Sequence, residues 1–397
     1  MTPFPVAADR EGGAVPRVRR LLRWGLACAA TAFIACGGSD GAVGASSATI
    51  LPPDAATYFP DATWRTATPE QVGIPSSVLA RVDQRLSSRT WRGLDSFIVI
   101  RGGYLVHEAY YGASSRDHVH TLQSVSKSVT SLVTGVASDM GAVNIDTTVL
   151  SILPQYADAS PDPRLTRVTL RHLLEMRSGI NFYENPYAGS PLETLNTSAG
   201  DWVRIALEQP FNAEPGARWQ YNSGGVIALG AAVAQAASTP FYLLARERLF
   251  TPLGITSQYW FVSGYDATVH TGGGLNMRAI DLARVGYLVL RQGQWNGRQI
   301  VSRDWLSRST APVTAAASQF GGVTVDYGFL WWLASVGPTP STAPADNRVI
   351  IAAGNMNQFL FVVPSRDLVV VNTGSSNDSF GVTVDFVVRE LIPALSP

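Results

Sequence analysis

The 397-residue chain has almost no lysine: Lys127 stands alone, and the other 29 basic side chains are arginine. Chemistry separates the two cations, because a guanidinium keeps its proton in a protein whereas a desolvated ammonium can have its pKa lowered and act as a neutral base. The sole lysine therefore points to deprotonation chemistry. Cysteine is scarce too, with only Cys28 and Cys36, which excludes a disulfide-stapled fold. Charged residues are 15% of the chain and form no basic run, which argues against nucleic acid as a partner. No internal repeat is visible, so solenoids and propellers drop out.

What the N-terminus does contain is a cluster of arginines (Arg10, Arg17, Arg19, Arg20 and Arg23) followed by an uncharged, mostly apolar run from Trp24 to Cys36. The run is too short to span a bilayer as a mature helix and has the form of a signal peptide. It ends in Phe33-Ile34-Ala35-Cys36-Gly37, which resembles a bacterial lipoprotein box. The expectation is a signal peptide over 1–36, cleavage before Cys36 and acylation of its thiol. That exports the protein to the periplasm and anchors it by lipid to the bacterial outer membrane. Arg19-Arg20 leaves twin-arginine export as an alternative route. Residues 37–66 are rich in Gly, Ala, Ser and Pro and read as a flexible tether. Within them Gly37-Gly38-Ser39-Asp40-Gly41 matches a nucleophile elbow in letters alone, since it lacks the flanking strand and helix. One large domain is expected over 67–397.

In that domain Ile74 to Leu86 has helical spacing, and Phe97 to Ile100 and Tyr104 to Tyr110 flank Gly102-Gly103 as a hairpin. Residues of about 143–262 read as a helical insertion, clearest at Thr169 to Met176, Val226 to Ala237 and Phe241 to Leu249. Strands return at Tyr327 to Trp332, Val349 to Ala352, Phe359 to Val363 and Leu368 to Asn372, before a last helix from Val384 to Leu395. The fold class expected is α/β (α+β), a sheet built from both chain ends with a helical insertion between them.

Two stretches carry chemistry. Val125, Val129, Leu132, Val133 and Val136 recur at helical spacing around Lys127, the only charge from Ser124 to Ser138, so the helix is buried. Ser124 lies one turn before Lys127 on the same face. It sits near the helix start, where unpaired N–H groups favour negative charge. The second stretch, Trp219-Gln220-Tyr221-Asn222-Ser223-Gly224-Gly225, puts a tyrosine and a serine two apart on a loop opening into a helix. A phenol beside a lysine ammonium gains a stabilised phenolate and can take a proton from a serine. His118-Val119-His120 has the start of a metallo-hydrolase motif without its acid, so no metal and no cofactor is expected.

Together Ser124-Val125-Ser126-Lys127 and Tyr221-Asn222-Ser223 resemble the first and second motifs of the serine β-lactamase and penicillin-binding-protein superfamily. The likeness is nearest the AmpC-type branch with its esterases, DD-peptidases and nylon-oligomer amidases. Framing segments such as Thr169 to Gly179, Arg248 to Ile255 and Gly272-Gly273-Gly274-Leu275-Asn276-Met277 extend it from about Pro69 to Ile392. The resemblance implies a β-lactamase/transpeptidase-like fold, with a mostly antiparallel sheet, flanking helices and an all-helical inserted subdomain. It implies a serine hydrolase acting on a small ester or amide, with Ser124 as nucleophile and Lys127 and Tyr221 as its base. It also implies an oxyanion site from the backbone N–H groups of Ser124 and Asn355 next to Gly354, and Ser223 bridging Lys127 and the leaving group. The third motif departs from the family: Ala352-Ala353-Gly354-Asn355 stands where Lys-Thr-Gly is usual. That lysine helps hold substrate carboxylates, and losing one charge-assisted contact costs about 1.5–3 kcal/mol. Arg348 is a candidate replacement. A β-lactamase or D-alanyl-D-alanine carboxypeptidase is thus the second reading, and a catalytically silent binding lipoprotein the third.

Overall fold

The structure, a computed structural model, describes residues 58–88, 90–335 and 347–395. The stretch expected as a signal peptide, Cys36 and most of the expected tether lie outside the described residues. Residues 58–66, expected as tether, are packed instead. Trp64 is buried, Arg65 lies 4.0 and 3.9 Å from the ring centroids of Tyr58 and Tyr104, and Thr66 bridges to Leu105. The aromatic residues in this stretch give it surface to bury, which its Gly/Ala/Ser/Pro average conceals.

The chain opens with α1 (Ser76–Ser87), β1 (Leu94–Arg101), β2 (Tyr104–Tyr110), β3 (Val119–Thr121) and α2 (Val125–Asp139). Gly102 and Gly103, both at positive φ (59° and 77°), make the two-residue turn that the β1–β2 hairpin requires. Then come α3 (Val149–Ile152), α4 (Leu170–Leu174), α5 (Pro191–Thr197), α6 (Trp202–Leu207), α7 (Ser223–Ala236) and α8 (Phe241–Ala245). The rest runs β4 (Gln258–Trp260), β5 (Leu275–Arg278), α9 (Ala279–Leu290), β6 (Gln294–Trp295), β7 (Arg298–Gln299) and α10 (Arg303–Ser309). It ends with β8 (Thr314–Phe320), β9 (Val323–Tyr327), β10 (Trp332–Ser335), β11 (Arg348–Gly354), β12 (Gln358–Val363), β13 (Leu368–Gly374) and α11 (Val382–Phe386).

Eight strands form one sheet in the order β2-β1-β13-β12-β11-β10-β9-β8, antiparallel throughout. Strands from the two chain ends meet where β1 pairs with β13. Every residue of β12 and β13 is buried, because helices cover both faces of the sheet and remove the alternation that a half-exposed strand shows. Phe97 of β1 meets Phe386 of α11 at 6.1 Å, while α9 packs on β1, β12 and β13. A smaller sheet, β3-β5-β4, feeds α2 from β3 and α9 from β5.

Two expectations need correction. The stretch 143–262 is not all helical: β4 at its end pairs with β5, so the helical part stops before residue 258. The aromatic run Tyr327 to Trp332, expected as a strand, is not one. β9 ends at Tyr327, Leu330 takes φ +63°, β10 starts at Trp332, and all six residues are buried. A run without polar punctuation has no period from which to read a turn.

Candidate active site

Ser124 caps the N-terminal end of α2, in helical backbone conformation, after Gln123 at φ +50°. Lys127, in the first turn, is buried with 1% of its surface exposed. Its Nζ donates to Ser124 Oγ at 2.8 Å and to the Gly272 carbonyl at 2.5 Å. Burial lowers its pKa to about 8, and the charge of Glu184 acts the other way. Desolvation disfavours the ammonium more than a single carboxylate restores it. The residue is therefore close to losing its proton at neutral pH.

Tyr221 reaches the same place from the loop before α7. Lys127 Nζ lies 4.7 Å from its ring centroid, and the ring stacks on Trp332 at 5.7 Å with 17° between planes. Trp332 thus makes one ring of the aromatic run part of the site wall. Burial, then the nearby Glu184 charge, push the phenol pKa well above its usual range, against a hydrogen bond with Ser124. The phenolate expected from the sequence is corrected by this environment: Tyr221 is a neutral phenol, and Lys127 is the group nearer to serving as base.

Asn222 caps α7 by accepting Gly225 N–H at 2.6 Å, and Ser223 is buried at the first helical position. Ser223 does not bridge to Lys127. Among the described residues the hydrogen-bond partners of Lys127 are Ser124 and Gly272. Gly272 packs so tightly on Ser223 that a Cβ on it would lie 2.8 Å from the Ser223 carbonyl, and its own carbonyl is the second acceptor of the Lys127 ammonium.

Gly354 ends β11 and pairs with Gln358. A Cβ at Gly354 would meet Leu122 O at 2.5 Å and Ser124 N at 2.9 Å, so only glycine lets this hairpin approach the serine. Asn355 follows, exposed, in a turn where Met356 and Asn357 have φ of 60° and 61°. Side chains pin the turn from below: Asn372 Nδ2 donates to Asn357 O at 2.6 Å and Gln358 Nε2 to Gly374 O at 2.6 Å. Ala352 and Ala353 are buried. Arg348 does not replace the missing lysine. It starts β11, six residues before Gly354 and roughly 20 Å away along an extended strand, and donates to Thr310 O at 3.1 Å.

Glu184 was not found from the sequence. Its Oε1 accepts the Ser223 backbone N–H at 2.6 Å, and its charge reaches Lys127 and Tyr221. Nothing in Phe182-Tyr183-Glu184-Asn185 marks the loop as functional. His270 is a second residue that no motif marks. Its ring lies 3.3 Å from where a Gly273 Cβ would be, with Nε2 3.1 Å from Asn196 Oδ1. Burial, then Lys127, lower its pKa to about 4, which keeps it neutral.

Comparisons with known proteins bear on the family and the fold. The beta-lactamase family model matches residues 80–389. A 6-aminohexanoate-dimer hydrolase from Paenarthrobacter ureafaciens is 25% identical over 79% of this chain and 80% of its own length. Esterase EstB from Burkholderia gladioli is 28% identical over 45% of this chain and 51% of its own. The octameric penicillin-binding protein homologue from Pyrococcus abyssi superposes with a TM-score of 0.62 at 17% identity, over 81% of this chain and 78% of that one. That likeness shows the β-lactamase/transpeptidase-like fold. With a family match over most of its length and hydrolases among its relatives, the chain belongs to the beta-lactamase family and is a hydrolytic enzyme.

Proposed function

We propose that the protein is a serine hydrolase that cleaves an ester or amide bond through an acyl-serine intermediate on Ser124. The observation that carries this reading is the 2.8 Å contact between Lys127 Nζ and Ser124 Oγ, made by a buried lysine whose pKa has fallen to about 8. Neutral Lys127 takes the Ser124 proton as Ser124 attacks the carbonyl. Tyr221, protonated, gives its proton to the leaving group and recovers one from Lys127. The backbone N–H groups of Ser124 and Asn355, brought together by Gly354, hold the oxyanion, each contributing about 3 kcal/mol in comparable sites. Ser223 is kept as a substrate contact rather than as a partner of Lys127. A water then releases the acyl group.

The names of the relatives, an amide-type dimer hydrolase and an esterase, support esters and amides as substrates. Ala352 and Ala353 favour them over β-lactams and D-alanyl-D-alanine peptides, since no lysine is there to receive a carboxylate. The test is a panel of a short-chain p-nitrophenyl ester, an amide and a cephalosporin on the wild type and Ser124→Ala. Ester or amide turnover that disappears in Ser124→Ala is expected, and turnover that persists refutes the mechanism. Efficient cephalosporin hydrolysis reverses the substrate ranking. Failure of a fluorophosphonate probe to label Ser124 in folded protein favours the silent binding protein.

The N-terminal sequence supports a separate proposal: export to the periplasm with a lipid anchor on Cys36. Detergent-phase partition that Cys36→Ser abolishes is the expected result, and unchanged partition rejects it.

A further inference from the structure

Glu184 places a carboxylate on the Ser223 backbone beside the proposed site, and the cation its charge acts on, Lys127, loses its own charge in the form that serves as base. Among the described residues no arginine, lysine or histidine nitrogen lies within 4.0 Å of it. Its recorded partner is the Ser223 backbone N–H at 2.6 Å, and its charge acts on Lys127, Tyr221 and Tyr327. The side chain is half-buried. A charge there is poorly screened, and any charged group on a substrate in the cleft must interact with it.

Its sign matters because nothing opposes it from the third motif. Ala352 stands where the third motif usually has its lysine, and His270 is neutral. Lys127 is itself neutral in the form that can act as base. Glu184 is hydrogen-bonded to the Ser223 backbone, two residues from Tyr221, the proposed proton donor to the leaving group.

We propose that Glu184 makes this cleft select substrates by the charge of the leaving group, accepting esters and thioesters whose leaving group carries an ammonium and rejecting those that carry a carboxylate. The inference rests on the reading of Ser124 as the nucleophile and deepens it by assigning a substrate class. It names a carboxylate, outside all three sequence motifs, as the determinant.

Three thioacetates of similar size test it, with released thiol as the readout: acetylthiocholine, S-(3,3-dimethylbutyl) thioacetate and S-acetyl-3-mercaptopropanoate. The expected wild-type order of kcat/KM is cationic, neutral, anionic, each step about tenfold for one partly screened charge. Glu184→Gln keeps an oxygen to accept Ser223 N–H and removes the charge, so the cation-to-anion ratio collapses towards one. A ratio equal to that of the wild type overturns the proposal. If Glu184→Gln does not fold, competition on the wild type decides: choline inhibits hydrolysis of the neutral thioester and 3-hydroxypropanoate does not. Equal inhibition by the two overturns the proposal. Hydrolysis of the neutral thioester that persists in Ser124→Ala sinks the nucleophile assignment itself, a failure distinct from an unchanged charge ratio.

Discussion

Lys127 Nζ donates to the Gly272 carbonyl at 2.5 Å while reaching Ser124 Oγ at 2.8 Å, so the amine is held on the serine by a backbone group that cannot titrate. The base must be neutral to work, and its pKa is about 8. For hydrolysis of an aryl ester, kcat/KM is therefore expected to rise with pH through about 8 and then level off. Activity is lost as the pH falls below that value. Tyr221, raised above the usual phenol range, adds no limb below pH 10. Lys127→Arg, which keeps the charge and cannot lose it, is expected to lower kcat by on the order of 10³-fold or more. A limb near pH 8 that survives in Lys127→Arg assigns the ionisation to another group.

The same burial has a consequence for stability. The folded pKa of Lys127, about 8, lies below the ordinary value of 10.5, so between those values the unfolded chain binds more protons. Stability then rises with pH across that window. At neutral pH the charged buried lysine costs about 3 kcal/mol, the equivalent of that shift. Lys127→Met removes this cost but leaves Ser124 Oγ and Gly272 O without their donor, at roughly 1 kcal/mol each. The variant is expected to be inactive, at least as stable as the wild type at pH 7, and to lose the rise in stability from pH 8 to 10. Urea unfolding at the two pH values measures it, and a wild type with no rise contradicts it.

Much of the site was legible because it is local. Ser124 and Lys127 are one helical turn apart, and the uncharged stretch around them announces a buried helix. Tyr221 was found by its motif, because its distance from Lys127 cannot be computed from periodicity. Glu184 was missed since its role depends on a loop folding back onto α7, and Gly272 since its contribution is a carbonyl that every residue has. The protonation of Tyr221 was misread for a related reason: the sequence places a lysine nearby but not the burial and the Glu184 charge that outweigh it. In the fold, β1, β12 and β13 were visible as apolar runs, while the turn inside Tyr327 to Trp332 had no polar residue to mark it.

Tyr221→Phe separates the phenol's chemistry from its packing. The ring keeps its stack on Trp332 and its contact with Lys127, and only the hydroxyl is lost. A fall in kcat of about 10²–10⁴-fold is expected for removal of a proton-transfer group, with KM and melting temperature changed little. Near-wild-type kcat in Tyr221→Phe leaves Lys127 as the sole proton carrier.

Gly354→Ala tests the oxyanion assignment from the backbone side. The added methyl would lie 2.5 Å from Leu122 O and 2.9 Å from Ser124 N, and neither neighbour is a flexible side-chain end. The β11–β12 turn must therefore move away from Ser124 and take the Asn355 N–H with it. Loss of one oxyanion donor is expected to lower kcat by about 10²–10³-fold, with an overpacking cost of about 1–3 kcal/mol in stability. Circular dichroism and thermal unfolding establish that the fold persists, and steady-state kinetics on the ester read the donor. Wild-type kcat in a folded Gly354→Ala protein removes Asn355 from the oxyanion site and leaves Ser124 N–H to hold the charge with a donor from elsewhere.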